Sequence, residues 1–114
     1  MTNCIFCRIV AGEIPSKFVY QDEQCVAFED VNPQAPVHAL VIPRAHVESL
    51  KGFQTSDTAL MGALLQACRE VARIKGVSDS GFRIVANTGS SAGQTVFHMH
   101  FHVLGGRSFA WPPG

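Results

Sequence analysis

The chain has 114 residues, with nine basic and nine acidic side chains and no net charge. That length suits one domain with a modest core, and the lack of any basic cluster beyond two residues argues against a nucleic-acid polymer as partner. No apolar run is long enough for a membrane span, and the first residues lack the pattern of a secretory signal, so the expected compartment is the cytoplasm.

Residues 4–11, Cys-Ile-Phe-Cys-Arg-Ile-Val-Ala, read as a short helix stopped by Gly12 and Pro15. Phe18-Val19-Tyr20 and Cys25-Val26-Ala27-Phe28 read as two strands, with Asp22 and Glu23 suited to the turn between them. Residues 30–36 contain Pro33 and Pro36 and read as a loop. His38-Ala39-Leu40-Val41-Ile42-Pro43 is apolar almost throughout, as a central strand would be, and Arg44 to Val47 start a turn or short helix.

The main helix is expected from Ser56 to Lys75. Leu60, Met61, Leu64, Leu65, Cys68, Val71 and Ala72 recur at 3.6-residue spacing, and Ser56 or Thr55 is placed to cap the start. Residues 81–87 read as a fourth strand. Thr88 to Gly93 form a small polar loop whose glycines let backbone N–H groups approach a ligand. The last ten residues, with Trp111-Pro112-Pro113, have no regular pattern. The whole predicts a single α+β domain: a five-stranded antiparallel sheet, one main helix and a short N-terminal helix.

The fifth strand is the unusual one. His98-Met99-His100-Phe101-His102-Val103 alternates imidazole with apolar residue. Strand periodicity directs His98, His100 and His102 to one face, and Met99, Phe101 and Val103 to the other. Three readings of that face compete. The histidines could merely face solvent. Two of them could chelate Zn²⁺ with a position left for water. Or an imidazole could attack phosphorus, with neighbouring donors on the equatorial oxygens. The glycine-rich loop just before the strand favours the third reading.

The N-terminus offers a second cluster. Cys4 and Cys7 form a C-x-x-C, and i, i+3 positions of a helix share a face. Two ligands do not complete a structural zinc site. His46 and His98 are available as partners. The alternatives are two reduced thiols or a redox pair, although no thioredoxin-like βαβ context follows. Cys25 and Cys68 read as buried thiols.

His98 to Leu104 matches the histidine triad pattern, His-φ-His-φ-His-φ-φ, at every position. Ile5-Phe6, Glu13-Ile14-Pro15, Pro33-Gln34-Ala35-Pro36, Val41-Ile42-Pro43, Gly93-Gln94, Gly105-Gly106-Arg107 and Trp111-Pro112-Pro113-Gly114 are also similar to the Hint branch of that family. The resemblance covers nearly the whole chain. It implies a two-fold homodimer that hydrolyses purine nucleoside 5′-phosphoramidates. In that family the reaction runs through a covalent nucleotidyl-histidine and needs no cofactor for catalysis.

Carried over residue by residue, His100 is the nucleophile, His102 holds the α-phosphate and His38 sits behind His100. Asn87, Gly93 and Thr95 lie beside phosphate and ribose. Thr95 stands where the family commonly has serine, which bears on leaving-group preference. Asp30 binds the ribose, and Ile5, Phe6, Ile9, Phe28 and Val31 form the purine slot. Trp111 belongs to a tail able to reach the partner subunit's pocket. Some relatives, and the related galactose-1-phosphate uridylyltransferases, bind structural zinc through residues matching Cys4, Cys7, His46 and His98. Two other activities stay open: hydrolysis of dinucleoside polyphosphates, and regulation by a nucleotide-binding protein whose partner contacts outweigh its chemistry.

Overall fold

A computed structural model describes residues 3–114. Its elements follow in the order α1 (Ile5–Val10), β1 (Phe18–Gln21), β2 (Cys25–Glu29), β3 (Val37–Pro43), α2 (Thr58–Ile74), β4 (Phe82–Val85) and β5 (Phe101–Gly105). The five strands form one antiparallel sheet in the order β1-β2-β3-β5-β4, so the apolar β3 is the central strand. The β1–β2 turn is closed by Asp22, whose Oδ1 accepts from the amides of Gln24 (2.8 Å) and Cys25 (2.7 Å).

Both faces of the sheet are covered. On one, Cys25, Ala27, Ala39, Val41 and Val103 meet Leu64, Ala67, Cys68, Val71 and Ala72 of α2. On the other, Val26, Phe28, Leu40 and Ile42 meet Phe6 and Ile9 of α1. Period-two alternation decides which side chain faces which helix. Cys25 and Cys68 lie fully inside the α2 layer, where burial pushes both thiols up to about 12, leaving them protonated and inert.

The structure corrects three boundaries. Cys4 is the N-cap of α1 rather than part of it, its Sγ accepting from the amide of Cys7 at 3.4 Å. The main helix begins at Thr58 after a 3₁₀ turn at Thr55–Asp57, so neither Ser56 nor Thr55 caps it. Asp57 instead accepts the Gln54 amide at 2.9 Å and tightens the entry. Most importantly, the histidine strand starts three residues later than its alternation predicts. β5 starts at Phe101, and the chain bends through Val96, Phe97 and His98. The last β3–β5 pair is Val41 with Phe101. Continuing the ladder would bring Met99 opposite Pro43, which has no N–H to donate. The Met99 amide goes to the Val47 carbonyl at 2.6 Å instead.

The C-terminal tail folds back on the sheet edge. The Arg107 and Arg83 guanidinium carbons sit 4.3 and 5.1 Å from the Phe109 ring centre. Arg83 donates to the Ala110 carbonyl, and Arg107 to the Gln34 carbonyl in the 30–36 loop. Trp111 beyond this clamp is 83% exposed.

Candidate active site

The shortened strand divides the three histidines. His98 is fully buried, His100 is nearly so, and Met99 between them is buried as well. They do not share an open face. His102 alone of the three lies in β5, opposite Leu40, on the face that α1 covers.

Each imidazole has a defined tautomer. His100 donates from Nδ1 to the His98 carbonyl at 2.7 Å, leaving Nε2 with its lone pair as the nitrogen available to the cavity. His38 accepts the Gln34 amide on Nδ1 at 2.9 Å, so its proton is on Nε2. That nitrogen lies 2.9 Å from His102 Nδ1 and 3.3 Å from Asp30 Oδ2. His102 is thereby the acceptor at Nδ1 and carries its own proton on Nε2. This corrects the expected place of His38: it orients His102, while the main-chain carbonyl of His98 orients His100. Burial, together with neighbouring His100 and His38, brings His102 down to about 4, against a smaller opposing effect of Asp30. Burial also lowers His38. Both rings are therefore neutral near pH 7, and His102 is a donor that needs no counter-charge.

These imidazoles open into a cavity of about 470 Å³. One wall is α1, with Ile5, Phe6 and Ile9. The floor is Phe28 and Leu40, and the rim runs through Asp30, Val31 and Gln34. Thr95, Val96, His38, His100 and His102 close the polar end. Phe6 sets its edge against Phe28 (centroids 5.5 Å) and against His100 (5.2 Å, 88°). An apolar slot leading to two imidazoles and a hydroxyl suits a flat aromatic group bearing a phosphate. A second, shallower cavity of about 610 Å³ adjoins it at Asp30, Val31 and His38, but reaches neither His100 nor His102.

Of the residues expected at the site, Asn87 and Gly93 do not line the cavity. Ile14, Pro15, Ser16, Gln34, Leu40 and Val96 line it and were not foreseen. Leu40 carried a signal: it lies two residues from His38 and so shares its face.

A second group stands behind the first. The ligating atoms of Cys4, Cys7, His46 and His98 all lie within 4.8 Å of one another. Sγ of Cys4 and Nδ1 of His98 are 3.3 Å apart, Sγ of Cys7 and Nδ1 of His46 3.3 Å, and the two Nδ1 atoms 3.2 Å. Zinc bonds of about 2.0–2.3 Å to nitrogen and sulfur give tetrahedral edges of roughly 3.3–3.8 Å. The donor set fits that ion in type and in spacing. His98 donates from Nε2 to the Pro43 carbonyl at 2.8 Å, which turns the Nδ1 lone pair toward the cysteines. Burial lowers His98, favouring the neutral ring that a metal requires.

No helix among the described residues is long and apolar enough to cross a membrane. The HIT domain model matches residues 11–109. An uncharacterised HIT-like protein of Synechocystis sp. is 53% identical over 112 residues, covering 98% of this chain and 97% of the relative. A HIT family hydrolase of Legionella pneumophila superposes with a TM-score of 0.95 at 43% identity, covering 98% of this chain and 100% of that one. A histidine triad protein of Clostridium difficile follows at 0.92 and 40%, covering 96% of each. With the domain model matching residues 11–109 and a relative 53% identical over nearly the full length of both chains, the chain belongs to the HIT domain family.

Proposed function

We propose that the chain is a purine nucleoside phosphoramidase of the Hint type. The observation that carries this reading is the His100 tautomer: Nδ1–H is held by the His98 carbonyl, and Nε2 is left beside a neutral donor, His102, at the end of an apolar slot. That is the arrangement an imidazole nucleophile needs at phosphorus. Its solved relatives include HIT family hydrolases from Legionella pneumophila and Clostridium thermocellum.

In the proposed reaction the purine lies between Ile5, Phe6, Ile9, Phe28 and Val31, with the ribose toward Asp30. His100 Nε2 attacks the α-phosphorus of an adenosine 5′-phosphoramidate. The P–N bond breaks, and the amine leaves with a proton relayed from solvent through the Thr95 hydroxyl. His102 Nε2–H stabilises a phosphoryl oxygen. Water then attacks the nucleotidyl-histidine, the His100–phosphorus bond breaks, AMP leaves, and the water's proton replaces the one lost with the amine. A structural zinc on Cys4, Cys7, His46 and His98 would fasten α1 to the sheet and supply no chemistry to the substrate. The chain is proposed to act as a homodimer, with edge strand β4 and its partly exposed Ile84 offered to that association.

Native mass spectrometry after brief exposure to an AMP-amine substrate tests the reading. It is expected to give a dimer, one zinc per chain and an AMP adduct that His100→Asn lacks. That variant should lose at least about 10³-fold in turnover while still binding AMP. Turnover by His100→Ala at the wild-type rate would overturn the assignment.

A further inference from the structure

The segment 94–100 carries Thr95 and His100 yet makes no ladder pairs with the sheet. Something else must hold its main chain. Gln94 is 5% exposed, and all the hydrogen-bonding capacity of its carboxamide nitrogen is spent inside the protein. Its Oε1 accepts the Gly89 amide at 2.9 Å. Its Nε2 donates to the Glu48 carbonyl at 2.7 Å and to the Val96 carbonyl at 3.1 Å. The Gln94 main-chain amide donates back to the Gly89 carbonyl at 3.1 Å, so residues 89 and 94 are joined twice. One buried side chain therefore ties three stretches together: the 89–93 loop, the segment after His46, and the bend at Val96.

We propose that Gln94 is a positioning residue that sets Thr95 and the adjoining main chain against the substrate's phosphate, without touching substrate itself. Gly89 and Gly93, at φ +84° and +88°, let the loop turn sharply enough to be closed by that amide. Thr95 and Val96, at the start of the bend that Nε2 holds, line the cavity. The apolar slot stands mainly on α1, β2 and β3, and the hydrogen bonds of Gln94 go to Gly89, Glu48 and Val96 instead. Loss of the brace should therefore weaken recognition of the phosphate and spare recognition of the nucleoside.

This inference rests on the phosphoramidase reading, and its test separates the two. Affinities for adenosine and for AMP are measured on the zinc-loaded wild type, on Gln94→Glu and on Gln94→Met. Gln94→Glu keeps an acceptor for Gly89 and loses both donors, whereas Gln94→Met loses all three bonds at similar volume. The wild type should prefer AMP. Each folded variant should keep its adenosine affinity within twofold, lose at least tenfold for AMP, and lose kcat on a phosphoramidate with little change in KM. In the wild type, hydrogen exchange at the Gly89 amide should be slowed at least a hundredfold relative to an unstructured peptide. A wild type that does not distinguish AMP from adenosine removes the functional reading and this inference with it. If the wild type prefers AMP but the variants lose both ligands equally, or neither, or if Gly89 exchanges freely, the inference alone is overturned.

Discussion

Phe6 joins the two halves of the site, and truncating it measures how far α1 depends on its packing. The ring is 6% exposed and edges onto Phe28, His98 and His100 at centroid distances of 5.5, 5.9 and 5.2 Å. Phe6→Ala removes a buried aromatic, a change that costs about 3–5 kcal/mol. A six-residue helix has no stability of its own. α1 also packs in a cluster separate from that of α2. Most of the loss should therefore fall on the docking of α1 and not on the sheet. The Arg8 and Ala11 amides, bonded to the carbonyls of Cys4 (3.1 Å) and Cys7 (3.0 Å), report that opening. Their hydrogen exchange, followed by NMR, should speed up by roughly 10²–10⁴-fold. Phe6→Leu keeps most of the buried volume and should cost less than about 1.5 kcal/mol, restoring protection. Protection in Phe6→Ala within threefold of wild type would refute the claim that this ring docks the helix.

Two further outcomes follow from the Cys4–Cys7–His46–His98 cluster and from His102. Stripping metal with dipicolinate should release one zinc per chain and speed exchange at the same Arg8 and Ala11 amides, as should Cys7→Ser; protection unchanged after complete stripping would count against a fastening role. The pH dependence of stability should also show His102. Its folded value, about 4, lies below the ordinary 6.5, so the unfolded chain takes up the proton first. Stability is therefore unaffected above about pH 6.5 and falls as pH drops toward 4, by up to about 3 kcal/mol for this residue. Urea midpoints should fall less steeply over that interval in His102→Gln than in wild type, and parallel slopes would show that His102 is not held neutral by burial.

The two clusters of chemistry, His98-Met99-His100-Phe101-His102 and Cys4/Cys7, were legible because local spacing rules govern them, whereas the slot residues came from the family resemblance. Alternation put His102 on one face and Val103 on the other, and the folded sheet keeps that division, with His102 opposite Leu40 on the α1 side and Val103 in the α2 layer. The 3.6-residue period found α2 to within two residues at its start and one at its end. What alternation missed was the end of the ladder. Nothing in His98-Met99-His100 says that its partner strand runs out at Pro43, since that depends on register between segments 55 residues apart. His38 was misassigned for the same reason. Its contact is with His102, which sits diagonally across the β3–β5 ladder.

By itself, the sequence determined the class of fold and the two clusters of chemistry, since side-chain type and spacing act over a few residues, while the apolar walls of a slot came only with the family resemblance. Only the tertiary structure decided what each imidazole does. A histidine's role depends on which nitrogen carries the proton, and that is set by the group opposite: the Pro43 carbonyl for His98, the His98 carbonyl for His100, and the ring of His38 for His102. Two of those three partners lie on another strand, brought there by the register of the sheet. Equivalent side chains in the sequence thus become a ring turned toward the two cysteines, a ring whose Nε2 is left to the cavity, and a neutral donor.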